Sequence, residues 1–328
     1  MKIVNENGRI QQVIITDMDS ELKSIHQEYH KYFDEYKESF AYVNQGHPIY
    51  IPFEVNDYCN MHCKMCWRTN EANPNGKKNI DLTLLRKFVR DCNQAGVRSF
   101  FLGANTECLI NPQILEIIKI IREDGNGIDD VLITNGYSLT EDICDVLIDY
   151  QWEKIFISLD AASEEVYKKI RGKDLTVVER NIELLLEKKE KRKSKLPFVR
   201  VSFVVMNENK HEMQQFVEKW KEKVDRIDFQ TLTNPQNILE IQHDLEDPKT
   251  RCIDPFQKME MDCEGNFYPC ASLYNKYHHL GNIKDMSVEE VWNCDLIKKI
   301  RYEMLHGNLN DICKTCLHEQ ERNFVELQ

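Results

Sequence analysis

The sequence lacks two features of membrane and secreted proteins. It contains no apolar run that approaches the roughly 20 residues of a membrane-spanning helix, and its first residues, 1–6, include no apolar core of a signal peptide. We therefore expect a cytoplasmic protein without a membrane partner. In that compartment, twelve cysteines indicate metal binding or thiol chemistry more often than disulfide bonds.

A surplus of basic residues is also missing. The chain has 43 Lys and Arg against 55 Asp and Glu, and its formal net charge is -12. Because a nucleic-acid-binding surface neutralises phosphates and is usually basic, we expect no nucleic-acid partner. The 328 residues, of which 41% are hydrophobic, are enough for one large domain and a smaller one.

Three of the cysteines stand close together. Cys59, Cys63 and Cys66 follow an apolar run, 51–55, that predicts a β-strand. Three thiolates can hold three irons of a cubane iron-sulfur cluster and leave the fourth iron open to a small molecule. A zinc site would normally add a fourth Cys or His at close spacing, and His62 is flanked too tightly by the cysteines to serve. The spacing therefore favours an iron-sulfur cluster with an open iron.

From residue 51 onward, predicted strands alternate with predicted helices. The strands are 51–55, 98–102, 130–134, 154–159, 198–205 and 226–230. Helical spacing of apolar residues occurs between them, over 82–92, 112–123, 140–150, 174–190 and 209–223. This alternation predicts an α/β fold with a parallel sheet, closed or partly closed into a barrel.

Polar residues follow each of the first four predicted strands. The segments are 59–66, 103–108, 134–136 and 158–160. Each segment alone is ordinary turn chemistry, since Gly, Asn and Asp are common turn residues. The carboxyl ends of parallel strands converge at a barrel mouth, however, so the four segments together predict an active site there.

A second group of cysteines lies beyond residue 250, where the alternation of strands and helices stops. Its members are Cys252, Cys263, Cys270, Cys294, Cys313 and Cys316. Cys313 and Cys316 form a tight pair, and Cys270 is the last residue of a predicted hairpin turn, 265–270. Four soft ligands from separate segments can bind zinc or a second iron-sulfur cluster, and the chemistry alone favours zinc.

The CxxxCxxC spacing after a first strand resembles that of the radical SAM superfamily, and the resemblance covers residues 50–235. It implies a partial (β/α)6 TIM-like barrel and a 4Fe-4S cluster whose open iron is chelated by S-adenosylmethionine (SAM). Thr106 and Glu107 resemble the stretch that receives the amino group of SAM. Asn135 resembles the motif after the third strand, and Ser158, Asp160 and Arg171 resemble the region that meets the ribose and the methionine carboxylate.

The C-terminal cysteines resemble those of SPASM and twitch subdomains, which hold auxiliary clusters. This resemblance implies a second 4Fe-4S cluster on Cys252, Cys270, Cys313 and Cys316 and so reverses the preference for zinc. Cys263 either replaces Cys252 as a ligand or is a hairpin cysteine. We expect three parts: an N-terminal helical extension (1–49), the radical SAM core (50–235) and an auxiliary cluster domain (236–328).

The function implied by these resemblances is an oxidoreductase or epimerase. SAM is cleaved reductively to a 5'-deoxyadenosyl radical, which takes a hydrogen atom from a substrate C-H bond, with the auxiliary cluster assisting. The electron donor would be a protein such as flavodoxin or ferredoxin. A thiol that returns a hydrogen atom would be Cys108, in the loop after the second strand, or Cys263.

Three functional alternatives remain open from the sequence. The first is oxidation or epimerisation of a small molecule such as a sugar or aminocyclitol. The second is modification of a ribosomally made peptide. The third is a non-catalytic iron-sulfur or zinc protein.

Overall fold

The computed structural model describes residues 1–6, 9–66, 68, 77–232, 245–273 and 279–326. Within these residues the strands are β1 (Lys2–Glu6), β2 (Arg9–Ile14), β3 (Ile51–Phe53), β4 (Phe100–Leu102), β5 (Val131–Thr134), β6 (Lys154–Ser158), β7 (Phe198–Val205), β8 (Arg226–Thr231), β9 (Glu260–Met261), β10 (Asn266–Tyr268) and β11 (Gly281–Asn282). They form one sheet in the order β1-β2-β8-β7-β6-β5-β4-β3-β9-β10-β11.

All six predicted strands are present, as β3 to β8, and their ends shift by no more than two residues. They lie side by side in chain order and every neighbouring pair is parallel. Their side chains are mostly buried on both faces, as is typical of a parallel sheet whose faces are both covered. The predicted α/β fold with a parallel sheet is confirmed.

Helices between these strands match the predicted helical patterns. They are Leu82–Ala95, Ile114–Asp124, Glu141–Asp149, Leu175–Arg192 and Met213–Trp220, with a further helix at Glu164–Arg171. The first of them shows how the sequence sets its bounds. The Asp81 side chain accepts from the backbone N-H groups of Thr83 and Leu84, and Gly96 ends the helix in the left-handed conformation. Its apolar face is buried against the sheet through Leu85, Phe88, Val89 and Cys92.

The first 49 residues differ from the predicted helical extension. The helices are Met18–Ile25 and Tyr29–Ser39, but the strands β1 and β2 precede them. β2 pairs antiparallel with β8, where Val13 lies opposite Ile227. The segment 9–14 shows no strict alternation of apolar and polar residues, so its sequence does not indicate a strand. It becomes one because the edge of β8 offers unpaired backbone groups.

The C-terminal region continues the same sheet. β9 pairs parallel with β3 through Met261 and Phe53, and β10 and β11 follow as an antiparallel extension. Short and medium-length helices complete this region, at Asp254–Gln257, Val288–Trp292, Asp295–His306 and Asp311–Glu326. In the described part of the chain, no helix is both long enough and apolar enough to cross a lipid bilayer.

Gly103 sets how closely the loop after β4 packs on β5. Its φ is +81°, and an added Cβ would lie 2.8 Å from Cys108 Sγ and 2.9 Å from the Ile133 carbonyl oxygen. Gly172 is also left-handed, with φ +71°, but an added Cβ there would meet no atom within 4 Å. An alanine at position 172 would therefore introduce backbone strain alone, whereas an alanine at position 103 would add steric overlap.

We expect Gly172→Ala to cost about 1 kcal/mol, which is the penalty of a left-handed conformation for an L-residue. Gly103→Ala adds overlap with Cys108 and with the β5 backbone, so its free energy of unfolding should fall by a further 1–3 kcal/mol or so. Anaerobic urea denaturation of both variants checks this expectation. Equal costs would show that the loop after β4 can move away from Cys108.

Candidate active site

A cavity of about 750 Å³ opens at the carboxyl ends of β3 to β6. Cys59, Cys63 and Cys66 line it, and so do five of the six residues that the sequence placed at a cofactor. Those five are Thr106, Glu107, Asn135, Ser158 and Arg171. The parallel strands thus bring side chains that are far apart in the chain to one concave surface.

The cysteine loop is held against the helix Glu164–Arg171. The Lys64 N-H donates to the Ile170 carbonyl oxygen at 2.9 Å, and the Cys66 N-H donates to the Cys63 carbonyl oxygen at 3.0 Å. Burial raises the pKa of the Cys59 thiol to about 11, and Glu107 and the other two thiols add to the rise. The Cys59 thiol is therefore a poor thiolate by itself and becomes a good ligand only when a cation displaces its proton.

Glu107 joins the loop after β4 to the end of β5. Its buried carboxylate accepts from the Thr134 hydroxyl at 2.7 Å, the Asn135 N-H at 2.7 Å and the Leu109 N-H at 3.1 Å. Burial raises the pKa of this carboxyl, and the three donors act in the opposite direction by favouring the ionised form. A fixed carboxylate on the cavity wall is suited to bind an ammonium group.

Asp160 has a different position from the one predicted. It lies outside the cavity lining, with its backbone in the left-handed region at φ +63°. Its carboxylate accepts from Arg171 Nη2 and from the Val204 N-H at 2.7 Å. The sequence predicts a cofactor contact for Asp160, and in the structure its carboxylate pairs with the Arg171 guanidinium.

Arg171 is the buried cation of the site. Its Nη1 donates to Cys63 Sγ at 3.4 Å. Burial raises the pKa of the Cys63 thiol, and the contact with Arg171 acts in the opposite direction. Its Nε is buried and has no hydrogen-bond partner among the described residues. A guanidinium with donor capacity left over, on the wall of a cavity, is suited to bind a carboxylate.

Glu54, which the sequence analysis did not identify, holds the loop that forms the same cavity wall. Its side chain is 1% exposed, and its carboxylate accepts from the Asn105 N-H at 2.6 Å and from the Thr106 N-H at 3.1 Å. Burial raises the pKa of Glu54 to about 7. A carboxylate inside the apolar run 51–55 is the signal that would have identified it. Arg68 and Lys77 also line the cavity, but no pattern in the sequence distinguishes them from other basic residues.

Neither proposed hydrogen-atom donor lines the cavity as the structure describes it. Cys108 is buried beneath Gly103, and its Sγ lies 3.5 Å from the Ile133 carbonyl oxygen. Cys263 is 4% exposed and packs in the main hydrophobic core. The roles of both thiols remain predictions, and no contact with the cavity supports them.

The four C-terminal cysteines with a predicted ligand role share one region. Cys270 and Cys316 pack on Leu273, Ile300 and Ile312, while Cys252 and Cys313 pack on Phe256, Met304 and Leu309. Burial raises the pKa of Cys252, and charge interactions with Cys316 and Cys313 add to it. Among the residues described, no three Cys, His, Asp or Glu side chains are close enough to hold a single metal ion.

Cys263 stands apart from these four thiols. Burial raises its pKa to about 12, and the carboxylates that contribute are those of Asp262, Asp57, Glu264 and Glu54, near the barrel. Interactions among Cys252, Cys270, Cys313 and Cys316 contribute instead to the raised pKa values of Cys252 and Cys270. Cys252 packs in the same apolar cluster as Cys313, whereas Cys263 packs in the main core, and this packing favours Cys252 over Cys263 as a member of the C-terminal group.

A polar chain connects the cavity with that group. Asn105, on the cavity wall, donates through Nδ2 to Glu260 at 3.2 Å. Lys258 Nζ lies 3.0 Å from the other oxygen of Glu260 and 3.3 Å from Asp254, which is close in sequence to Cys252. Three charged side chains in contact, those of Glu260, Lys258 and Asp254, therefore lie between the cavity and the C-terminal cysteines.

Comparison with known proteins places this geometry in a family. Residues 53–219 match the model of the radical SAM superfamily, and residues 252–317 match that of an iron-sulfur cluster-binding domain, SPASM. The first match covers the cavity and the second covers the four C-terminal cysteines.

Individual relatives are distant. A tungsten-containing aldehyde ferredoxin oxidoreductase cofactor-modifying protein of Pyrococcus furiosus is 18% identical over 325 residues, which cover 84% of this chain and 89% of that protein. A probable GTP 3',8-cyclase of Methanococcus aeolicus is 27% identical over 159 residues, or 48% of this chain. The chain spans only 50% of the length of that cyclase.

Solved structures of low identity share the fold. AdoMet-bound anSMEcpe superposes with a TM-score of 0.60 at 15% identity, covering 84% of this chain and 96% of that one. Streptococcus suis SuiB bound to its precursor peptide SuiA gives 0.58 at 15% identity, covering 84% and 71%. BtrN in complex with AdoMet and 2-DOIA gives 0.54 at 18% identity, covering 81% and 92%.

These matches confirm three predictions from the sequence: the family, the partial TIM-like barrel, and the cofactors. The cofactors are SAM, a 4Fe-4S cluster that binds it, and auxiliary iron-sulfur chemistry in the C-terminal domain. The chain belongs to the radical SAM superfamily and carries a C-terminal SPASM domain.

Proposed function

We propose that this enzyme oxidises a C-H bond of a polar small molecule, with Cys59, Cys63 and Cys66 holding the cluster that binds SAM. The observation that carries the proposal is the placement of these three cysteines on one cavity with Glu107 and Arg171. When bound, the cluster and SAM supply reductive cleavage of SAM and removal of a hydrogen atom from the substrate. The protein's own contribution is orientation and exclusion of water.

Opposite charges on the cavity wall orient SAM. The Glu107 carboxylate, held by its three donors, receives the ammonium group, and Arg171 receives the carboxylate. Asp160 keeps Arg171 in place and leaves Nε available. Thr106, Asn135 and Ser158 supply hydrogen-bonding groups along the rest of the wall, and groups of this kind suit a ribose diol.

The C-terminal cysteines Cys252, Cys270, Cys313 and Cys316 hold the auxiliary cluster in this proposal. Four protein ligands leave no iron open to substrate, so electron transfer is the role that suits such a cluster. The chain Asn105, Glu260, Lys258 and Asp254 gives a continuous polar connection from the cavity to this region.

Oxidation is favoured over epimerisation by the positions of the thiols. Epimerisation needs a group that returns a hydrogen atom to the substrate, and neither Cys108 nor Cys263 reaches the cavity in the described part of the chain. Oxidation needs only that the substrate radical loses one electron to an acceptor and one proton to a base. The auxiliary cluster and the buried carboxylates beneath Asn105 are suited to those roles.

The chemistry of the cavity lining suits a polar small molecule such as a sugar or aminocyclitol. The charged groups Asp57, Arg68 and Lys77 on the lining suit hydroxyl and amine substituents. BtrN, which shares the fold, was solved with 2-DOIA.

A peptide substrate is the second candidate. SuiB, of the same fold, was solved with its precursor peptide, and a single side chain of a peptide would occupy the cavity as a small molecule does. In that case the electron donor and the roles of the cysteines would be unchanged.

The two clusters can be counted separately. We expect about eight irons in reconstituted wild-type protein and about four in the Cys59→Ala/Cys63→Ala/Cys66→Ala variant, because only the four-cysteine site remains. The reduced wild type, but not the variant, should convert SAM to 5'-deoxyadenosine. Iron and sulfide analysis with mass spectrometry measures both. Cys294→Ala is the control that retains all the iron; zinc in place of the remaining iron would contradict the auxiliary cluster.

Replacement of Asp160 tests the orientation of Arg171. Asp160→Asn tolerates the left-handed backbone and can still accept from the Val204 N-H, but it loses the charge that holds Arg171. SAM affinity should fall roughly tenfold, or about 1.4 kcal/mol, with iron content unchanged. Anaerobic equilibrium dialysis measures the affinity. Asp174→Asn, which removes only an exposed pairing with Lys168, is the matched control; equal affinities in the two variants would refute the positioning role.

Deuterium transfer distinguishes the two substrate classes. We expect 5'-deoxyadenosine to acquire deuterium when the enzyme turns over with carbon-deuterated sugars or aminocyclitols, because the reacting hydrogen passes to that product. Mass spectrometry of the nucleoside detects the label. Transfer from deuterated peptides alone would establish the second candidate and exclude the first.

A further inference from the structure

Asn310 contacts one of the C-terminal thiols directly. Its Nδ2 lies 3.2 Å from Cys313 Sγ, at the beginning of the helix Asp311–Glu326. The Oδ1 atom of the same side chain accepts from the Cys313 N-H at 3.0 Å. A carbonyl oxygen must face that N-H, so the amide group can be oriented in only one way, with its NH2 group towards the sulfur.

A hydrogen bond to a cluster sulfur changes the stability of the reduced form. Donors reduce the negative charge that the sulfur presents to the irons, and reduction adds negative charge to the cluster, so each donor raises the reduction potential. The position at the beginning of a 16-residue helix acts in the same direction, since the helix dipole is positive there.

We propose that Asn310 is a positioning residue that raises the reduction potential of the auxiliary cluster and so makes it an electron acceptor. This inference rests on the proposed assignment of Cys313 as a ligand of that cluster. For the proposed function, this sets the direction of electron transfer. A cluster of raised potential takes an electron from the substrate instead of supplying one.

Other groups near the same cysteines set the background against which Asn310 acts. Ser272 Oγ lies 3.5 Å from Cys316 Sγ, and either atom can be the donor, so its contribution has no fixed sign. The carboxylates of Asp254 and Glu260 would lower the potential, but Lys258 pairs with both. Asn310 is a donor of fixed orientation at 3.2 Å from a thiol of this group.

Two variants separate the donor from the helix cap. Asn310→Ser and Asn310→Asp both keep an oxygen that can accept from the Cys313 N-H, and both are good residues at the beginning of a helix. The Ser side chain is too short to replace the donor, and the Asp side chain replaces it with a negative charge. We therefore expect the potential to fall in both variants, and further in Asn310→Asp.

The measurement is an EPR-monitored redox titration in full-length protein that also carries Cys59→Ala, Cys63→Ala and Cys66→Ala, so that only the auxiliary cluster contributes. At the midpoint potential of the parent, the ratio of reduced to oxidised cluster should fall about tenfold in Asn310→Asp, which corresponds to about 59 mV for a one-electron couple. Ser287→Ala, which removes a helix cap remote from these thiols, should leave the midpoint unchanged.

Each result decides the matter. Unchanged midpoints in both Asn310 variants, with iron retained, would overturn the tuning role and leave the cluster assignment standing. Loss of iron in Asn310→Ser would show that Asn310 holds the site together and does not tune it. Absence of iron in the parent with the three N-terminal cysteines replaced would refute the auxiliary cluster itself, and this inference with it.

Discussion

The parallel pairing of β3 to β6 is the constraint on which the site depends. Because neighbouring strands run in the same direction, the residues after each of them emerge at one edge of the sheet. All four of these strands have only three to five residues, which keeps the ends close together. The cysteine loop, Glu107, Asn135 and Ser158 therefore meet although nearly 100 residues separate the first from the last.

Two largely buried arginines, Arg122 and Arg171, differ in how completely their donors are satisfied. At the amino ends of the strands, Arg122 pairs with Asp130 at 2.7 Å and with Glu153 at 2.9 Å, and its remaining donors reach backbone carbonyl groups. At the carboxyl ends, Arg171 pairs with Asp160 but keeps a buried Nε without a partner in the described residues. An unsatisfied donor is costly in a purely structural pair. Because the unpartnered Arg171 Nε belongs to a residue that lines the cavity, it is available to a ligand there.

The sequence predicted the strands of the barrel and most of the cavity lining for a physical reason. Apolar runs define the strands, and the polar residues that follow them must lie at the strand ends, whatever the details of packing. Contacts between residues that are distant in the sequence cannot be predicted from such local patterns. Asp160 follows a strand as the predicted site residues do, but its left-handed backbone places its carboxylate behind Arg171. β2 likewise depends on the free edge of β8, and its own residues do not indicate a strand.

The position of β9 links the two cluster regions more firmly than a domain linker would. β9 pairs with β3, the strand that leads into Cys59, and the Glu54 N-H donates to the Met261 carbonyl oxygen at 2.9 Å. Glu54 in turn supports Asn105, and Asn105 contacts Glu260 on β9. The separation between cavity and C-terminal cysteines is thus fixed by backbone pairing and buried polar contacts. Electron transfer depends steeply on distance, so a separation fixed by such contacts is what the proposed transfer of an electron to an auxiliary cluster requires.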